Sequence, residues 1–332
     1  MGWRKDIGVL AVLVLLLLAT GCQRSKPSEA SKVYAFCGDS AYQHVSQQVS
    51  YGARVPLSQA HYQCAKYIES TLRRYGLAVG VQQGEMTDYA GASVEVYNIV
   101  GSYSKADSMG GHGTILLCAH WDSRPWADEE EMPEDRAYAV DGANDGASGV
   151  GVLLELARQV SLLQPNQNID FVFFDAEDMG TPRSYTGKER ADTWCLGSQL
   201  WARQYAQDKA LQGQKRYQYA VLLDMVGDRN AIFPQEYFSM QYAQSYCVKL
   251  WRTASQLGYG HLFKDGVGNP ITDDHYYINT IAHIPCVDII HYDIHTDTGF
   301  PWYWHTRHDT MENISAETLE AVGKTVINTI LN

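Results

Sequence analysis

Five short apolar or alternating runs, at 94–100, 114–118, 169–174, 219–224 and 284–290, punctuate this chain of 332 residues. At that length they read as strands rather than helices, since helices sustain a pattern over ten residues or more. Between the second and third runs lies Ala147–Leu163, where Val150, Leu153, Leu154, Ala157 and Val160 recur at helical spacing and form one strongly apolar face. Strands alternating with such helices predict a largely parallel sheet covered on both sides, an α/β fold. Two more helices are expected. One covers 56–75, with Leu57, Cys64, Ile68 and Leu72 in helical spacing and Gly76 as its stop; the other covers 315–331, with Ser315 as N-cap and Leu319, Val322, Val326 and Ile330 turned inward. No internal repeat is visible. With 45% apolar and 11% aromatic residues the chain can bury one large core, so a single domain is expected over 36–332.

A formal net charge of -12, with no Lys/Arg-rich stripe, argues against nucleic acid, whose phosphates need a basic surface. The first 21 residues have the plan of a secretory signal: Arg4 and Lys5, an apolar stretch from Ile7 to Ala19, then small residues. Leu18-Ala19-Thr20-Gly21-Cys22 resembles a bacterial lipoprotein box, which implies lipidation of Cys22, a flexible tether over 22–35 and residence in the cell envelope, facing the periplasm. A plain signal peptide or an uncleaved anchor is the alternative, although the apolar run is short for a spanning helix. The other cysteines, Cys37, Cys64, Cys118, Cys195, Cys247 and Cys286, contain no C-x-x-C pair, so a thiolate zinc site is not expected. Their even number permits disulfides in an exported chain, whereas Cys64, Cys118 and Cys286 lie in apolar patterns that suit buried free thiols.

The chemistry gathers where apolar segments end. Phe173-Phe174-Asp175-Ala176-Glu177-Asp178 sets two adjacent carboxylates after a strand-like run, and like charges that close resist joint ionisation unless a cation stabilises them. Ala119-His120-Trp121-Asp122, Gly142-Ala143-Asn144-Asp145-Gly146, Leu223-Asp224-Met225 and Trp304-His305-Thr306 repeat the theme. Each also has an ordinary reading. Asp145 could be a helix cap, Glu177 and Asp178 solvated loop acids, and His305 a satisfied core histidine among Trp302, Tyr303 and Trp304. Asp224 is harder to dismiss, because a carboxylate at a buried strand end needs a metal or a donor. Two polar insertions, 125–136 and 179–193, follow candidate motifs and are expected to frame the mouth of a site.

In this order the segments resemble the superfamily of zinc aminopeptidases and glutaminyl cyclases, from about Cys37 to the end of the chain. The resemblance implies a three-layer sandwich, with a mixed, mostly parallel central β-sheet flanked by helices. For the peptidase branch it implies two zinc ions on His120, Asp145, Asp178, Asp224 and His305. For the cyclase branch it implies one Zn2+ per chain on Asp145, Asp178 and His305, with Glu177, Asp224 and Asp273 moving protons and His120 as a second-metal or supporting residue. Ile271-Thr272-Asp273-Asp274-His275 and Phe300-Pro301-Trp302-Tyr303-Trp304-His305-Thr306 resemble the cyclase branch, with Trp304, Phe300 and Trp194 as walls of the substrate pocket. Two departures from animal cyclases are Asp178, where they carry Glu, and Asp288, where they carry His. The function implied is conversion of an N-terminal Gln of peptides and proteins to pyroglutamate with release of ammonia, by a monomer. A zinc aminopeptidase is the first alternative, and a catalytically dead binding protein anchored in the envelope is the second.

Overall fold

Helices α1 (Gly38–Val49) and α2 (Gln59–Arg74) precede an antiparallel pair, β1 (Ala78–Thr87) and β2 (Ser93–Tyr103). Then come β3 (Thr114–His120), α3 (Ala147–Leu163), β4 (Ile169–Phe174), α4 (Leu196–Gln207), α5 (Lys209–Gln214) and β5 (Tyr217–Asp224). The chain continues through β6 (Phe233–Gln235), α6 (Tyr237–Tyr242), α7 (Gln244–Gln256), β7 (Phe263–Val267), α8 (Asp274–Tyr277), β8 (Cys286–Ile290) and α9 (Ala316–Leu331). The computed structural model describes residues 1, 32–105, 113–188 and 190–332, of which 33–332 form one compact unit. The leader, Cys22 and most of the tether expected over 22–35 lie outside the described residues.

The main sheet runs β1-β2-β4-β3-β5-β8. Pairings β3 with β4, β3 with β5 and β5 with β8 are parallel, while β2 meets both β1 and β4 antiparallel. The sheet is therefore mixed and mostly parallel, as the resemblance implies. Strand β3 is buried at every residue, which is why its sequence is a continuous apolar run rather than an alternation. Even so, its side chains divide with period two: Ile115, Leu117 and Ala119 enter one core with α1, α2, α3, α7 and α9, while Leu116 and Cys118 enter another with Trp201, Ala202 and Tyr205 of α4. That division makes the three layers.

The helix expected at 147–163 has those bounds, and Ser315 caps α9 by accepting from the Thr318 N–H. Strand β1 has no counterpart in the sequence reading. It is an edge strand with no buried residue, so no apolar run marks it. The six described cysteines are free thiols, and Cys64, Cys118 and Cys286 are among the buried ones.

Candidate active site

Going out from β3, the chain proceeds to β4 on one side and then to β5 on the other, so the carboxyl ends of these strands flank a crevice, the usual ligand position in open α/β sheets. His120 ends β3 and Asp224 ends β5, while Glu177 and Asp178 follow β4 by a few residues. Asp145 stands beside the N-terminus of α3, Asp273 caps α8, and Trp304 and His305 lie in the segment after β8. Arg54 pins the turn before Asp145 by donating to the Gly142 carbonyl at 2.7 Å. Gly146 is required by close approach: a Cβ there would stand 2.5 Å from His120 Nε2.

These groups surround one cavity of about 370 Å³, lined by Asp145, Glu177, Asp178, Asp224, Asp273, His305, Trp194, Phe300 and Trp304. Of the residues expected to hold metal, move protons or wall the pocket, His120 is the one outside the lining, and it touches two lining carboxylates. His120 Nε2 is 2.9 Å from Asp145 Oδ1 and 3.2 Å from Asp224 Oδ1, and its Nδ1 is 3.3 Å from Asp122 Oδ1. His305 Nε2 is 3.1 Å from Asp178 Oδ1 and 3.5 Å from Asp145 Oδ2. Trp304 stacks on the His305 ring with centroids 3.6 Å apart, and Trp194 lies parallel to that ring at 5.9 Å. Phe300 packs against Trp304 at 4.6 Å.

Burial dominates the electrostatics. It raises Glu177 well above the ordinary carboxylate range, and the neighbouring Asp178 adds to the shift. Burial, with the charge of Asp224, pushes Asp273 up to about 7, and burial pushes Asp224 up to about 6 despite its hydrogen bond to His120. Asp145 goes the other way: burial opposes ionisation, but hydrogen bonds from His120 and His305 hold it below the usual range. The site thus contains acids suited to carry a proton beside one suited to stay charged.

Asp145, Asp178 and His305 each offer a ligand atom, all within 4.8 Å of one another and all buried. Two carboxylates and an imidazole form a zinc donor set, and Asp178 Oδ2 is buried with no hydrogen-bond partner among the described residues. The residues fit a metal ion. His120, Asp145 and Asp224 make a second such group that shares Asp145.

Several further residues support the site; Asp122 and Asp288 stand out in the sequence, whereas Arg124, Asp128 and Asp309 do not. Asp122 accepts from the Glu177 N–H at 3.1 Å and the Asp178 N–H at 3.2 Å, fixing the backbone of the acidic pair. Asp309 does the same for the other ligand segment, accepting from the Asn144 N–H at 2.8 Å and the Asp145 N–H at 3.0 Å. The 125–136 insertion contributes Asp128, 3.7 Å from His305 Nδ1 and paired with Arg124 at 2.7 Å. Arg124 lies over the Trp194 ring at 4.5 Å and donates to the Asp178 carbonyl at 2.8 Å, which ties the pocket wall to the acidic pair. Asp288 is fully buried on β8, 3.5 Å from His275 Nδ1.

Residues 98–330 match the model of peptidase family M28. The chain belongs to this family. Among solved structures, a Zn-dependent exopeptidase from Parabacteroides distasonis ATCC 8503 is 44% identical with a TM-score of 0.85, covering 91% of this chain and 100% of that one. A glutaminyl cyclase from Tannerella forsythia is 46% identical with a TM-score of 0.84, covering 90% of this chain and 99% of that one. Among curated relatives, Aminopeptidase YwaD of Bacillus subtilis (strain 168) is 29% identical over 231 residues, which are 69% of this chain but only 43% of that protein. Family membership therefore accounts for the fold and the zinc-type donor set, and leaves cyclase and peptidase to be separated by the site.

Proposed function

We propose that the protein is a glutaminyl-peptide cyclotransferase, which closes the N-terminal Gln of peptides and proteins to pyroglutamate with release of ammonia. The observation that carries this reading is Asp273: it lines the cavity and brings a carboxylate oxygen into one group with Glu177 and Cys195, all within 4.8 Å. Similarity to the Tannerella forsythia cyclase supports it. Asp145, Asp178 and His305 would hold one zinc ion per chain, which when bound supplies Lewis acidity toward the side-chain amide oxygen of the substrate.

The substrate's α-nitrogen attacks its own side-chain amide carbon; a C–N bond forms, the bond to the amide nitrogen breaks, and ammonia leaves. Glu177 takes the proton from the attacking nitrogen and returns one to the departing nitrogen, a role that suits a carboxyl raised above its ordinary range by burial. Asp224 and Asp273 hold and share protons beside it. Because the nucleophile belongs to the substrate, the pocket must fold the Gln side chain and exclude water rather than activate it. Trp194, Phe300 and Trp304 do this with apolar surface.

Purified protein incubated with a Gln-initiated peptide should release ammonia, with the matching mass loss in the product. Cleavage of aminoacyl anilides with no cyclisation would sink the reading. That peptidase reading has its own support, since the His120, Asp145 and Asp224 group could hold a second ion. We read the N-terminal segment as a lipoprotein leader that places the enzyme in the cell envelope, where exported proteins with a newly exposed N-terminal Gln are substrates; the mass of the mature N-terminus tests this.

A further inference from the structure

One partner of the Glu177 carboxylate belongs to none of the motifs. Cys195 Sγ donates to Glu177 Oε1 at 3.0 Å, and the thiol is fully buried. Among the described residues, no other side chain donates to that carboxylate. The backbone fixes the same pairing: the Cys195 N–H donates to the Glu177 carbonyl at 2.9 Å, and the Leu196 N–H to the Ala176 carbonyl at 3.1 Å. Cys195 and Ala176 both adopt left-handed conformations, with φ of 56° and 55°, so both segments turn sharply where they meet. On its other flank, the acidic pair donates its own N–H groups to Asp122. The main chain at Glu177 is therefore held from two sides, and the freedom left to its carboxylate is side-chain torsion.

We infer that Cys195 is a positioning residue for the reaction, its thiol holding the Glu177 carboxylate in the rotamer that presents it to the cavity. The inference rests on the reading of Glu177 as the proton carrier. A nucleophilic role for Cys195 does not fit: burial, with the Glu177 charge beside it, pushes the thiol well above its ordinary value, so it stays S–H. The thiol has one S–H to donate, which is enough to orient one carboxylate oxygen. The same two-residue step places Trp194 against His305 and Cys195 against Glu177, so one segment after the 179–193 insertion sets both the pocket wall and the base.

The test compares C195S, which keeps a donor, with C195A and C195V, which do not, in full-length zinc-loaded protein. For C195A and C195V, kcat is expected to fall about tenfold to a hundredfold, as for a misplaced catalytic group, with KM and zinc content nearly unchanged. C195S should recover most of the rate. C195V keeps the volume filled and so stands in if C195A fails to fold. Unchanged kcat in both donor-free variants, or a loss in C195S as large as in C195V, would overturn the inference. If the wild type hydrolyses aminoacyl anilides instead of cyclising, the cyclase reading fails while the same kcat comparison is made on hydrolysis. Crystal structures of wild type and C195V supply a readout independent of activity: the Glu177 carboxylate should turn or become multiple in the variant, and one unchanged rotamer would refute the role.

Discussion

His120 Nε2 lies 2.9 Å from Asp145 Oδ1, and the same nitrogen is 3.2 Å from Asp224 Oδ1. One ring nitrogen thus serves a proposed zinc ligand and a proposed proton carrier at once. Burial works against charge on this imidazole, but Asp122, Asp145 and Asp224 together raise it well above its ordinary value. Its Nδ1 is 3.3 Å from Asp122 Oδ1, so both ring nitrogens have carboxylate partners.

On the cyclase reading, metal content should be close to one zinc per chain, measured by elemental analysis after dialysis against metal-free buffer. Chelation should abolish activity, and one equivalent of zinc should restore it. A count near two per chain, with full activity only at that loading, would favour the dinuclear peptidase reading.

Glu177→Gln should lower kcat by about a hundredfold to ten-thousandfold, the usual worth of a general base, while zinc content stays near that of the wild type. Asp178→Asn should instead lose zinc, because it removes a charged ligand. The two neighbours would then separate into a proton carrier and a metal ligand. Equal loss of zinc in both variants would contradict that assignment.

Much of this site was legible because strand ends in a parallel sheet advertise themselves. His120 and Asp224 each interrupt a run that is apolar because β3 and β5 are buried on both faces, so a polar residue there has to be explained. Asp122 and Asp309 were harder to assign. Their carboxylates accept backbone N–H groups from segments 55 and 164 residues or more away, and nothing local in the sequence announces such a partner. Cys195 was read only for its redox possibilities, since its value lies in one contact across the fold. Strand β1 escaped because an exposed edge strand needs no apolar pattern.

Trp194 stands parallel to the His305 ring and beneath the Arg124 guanidinium, at 5.9 Å and 4.5 Å. Trp194→Ala should raise KM for a Gln-initiated peptide about tenfold or more, because the pocket loses a wall and its ordering of the Gln side chain. Trp194→Phe should retain most of the affinity. Steady-state kinetics on all three proteins settle the point, and an alanine variant with wild-type KM would remove Trp194 from the pocket.

Far from the cavity, His44 is buried between two tyrosines, its Nδ1 2.6 Å from the Tyr67 hydroxyl and its Nε2 3.2 Å from that of Tyr75. Burial lowers it from 6.5 to about 4, outweighing the charge of Glu155. The sign follows from linkage: between those values the unfolded chain binds a proton that the folded chain refuses, so stability is complete above the unfolded value and declines as pH falls toward the folded one. At about pH 5 the loss amounts to about 2 kcal/mol, taking 1.36 kcal/mol per unit of pKa. Urea unfolding of wild type and His44→Gln at about pH 7 and about pH 5 measures it. The variant should be less stable at the higher pH, where the tyrosine contacts are lost, and should show a shallower decline on acidification. Parallel declines in the two proteins would show that His44 is not the source of the acid sensitivity.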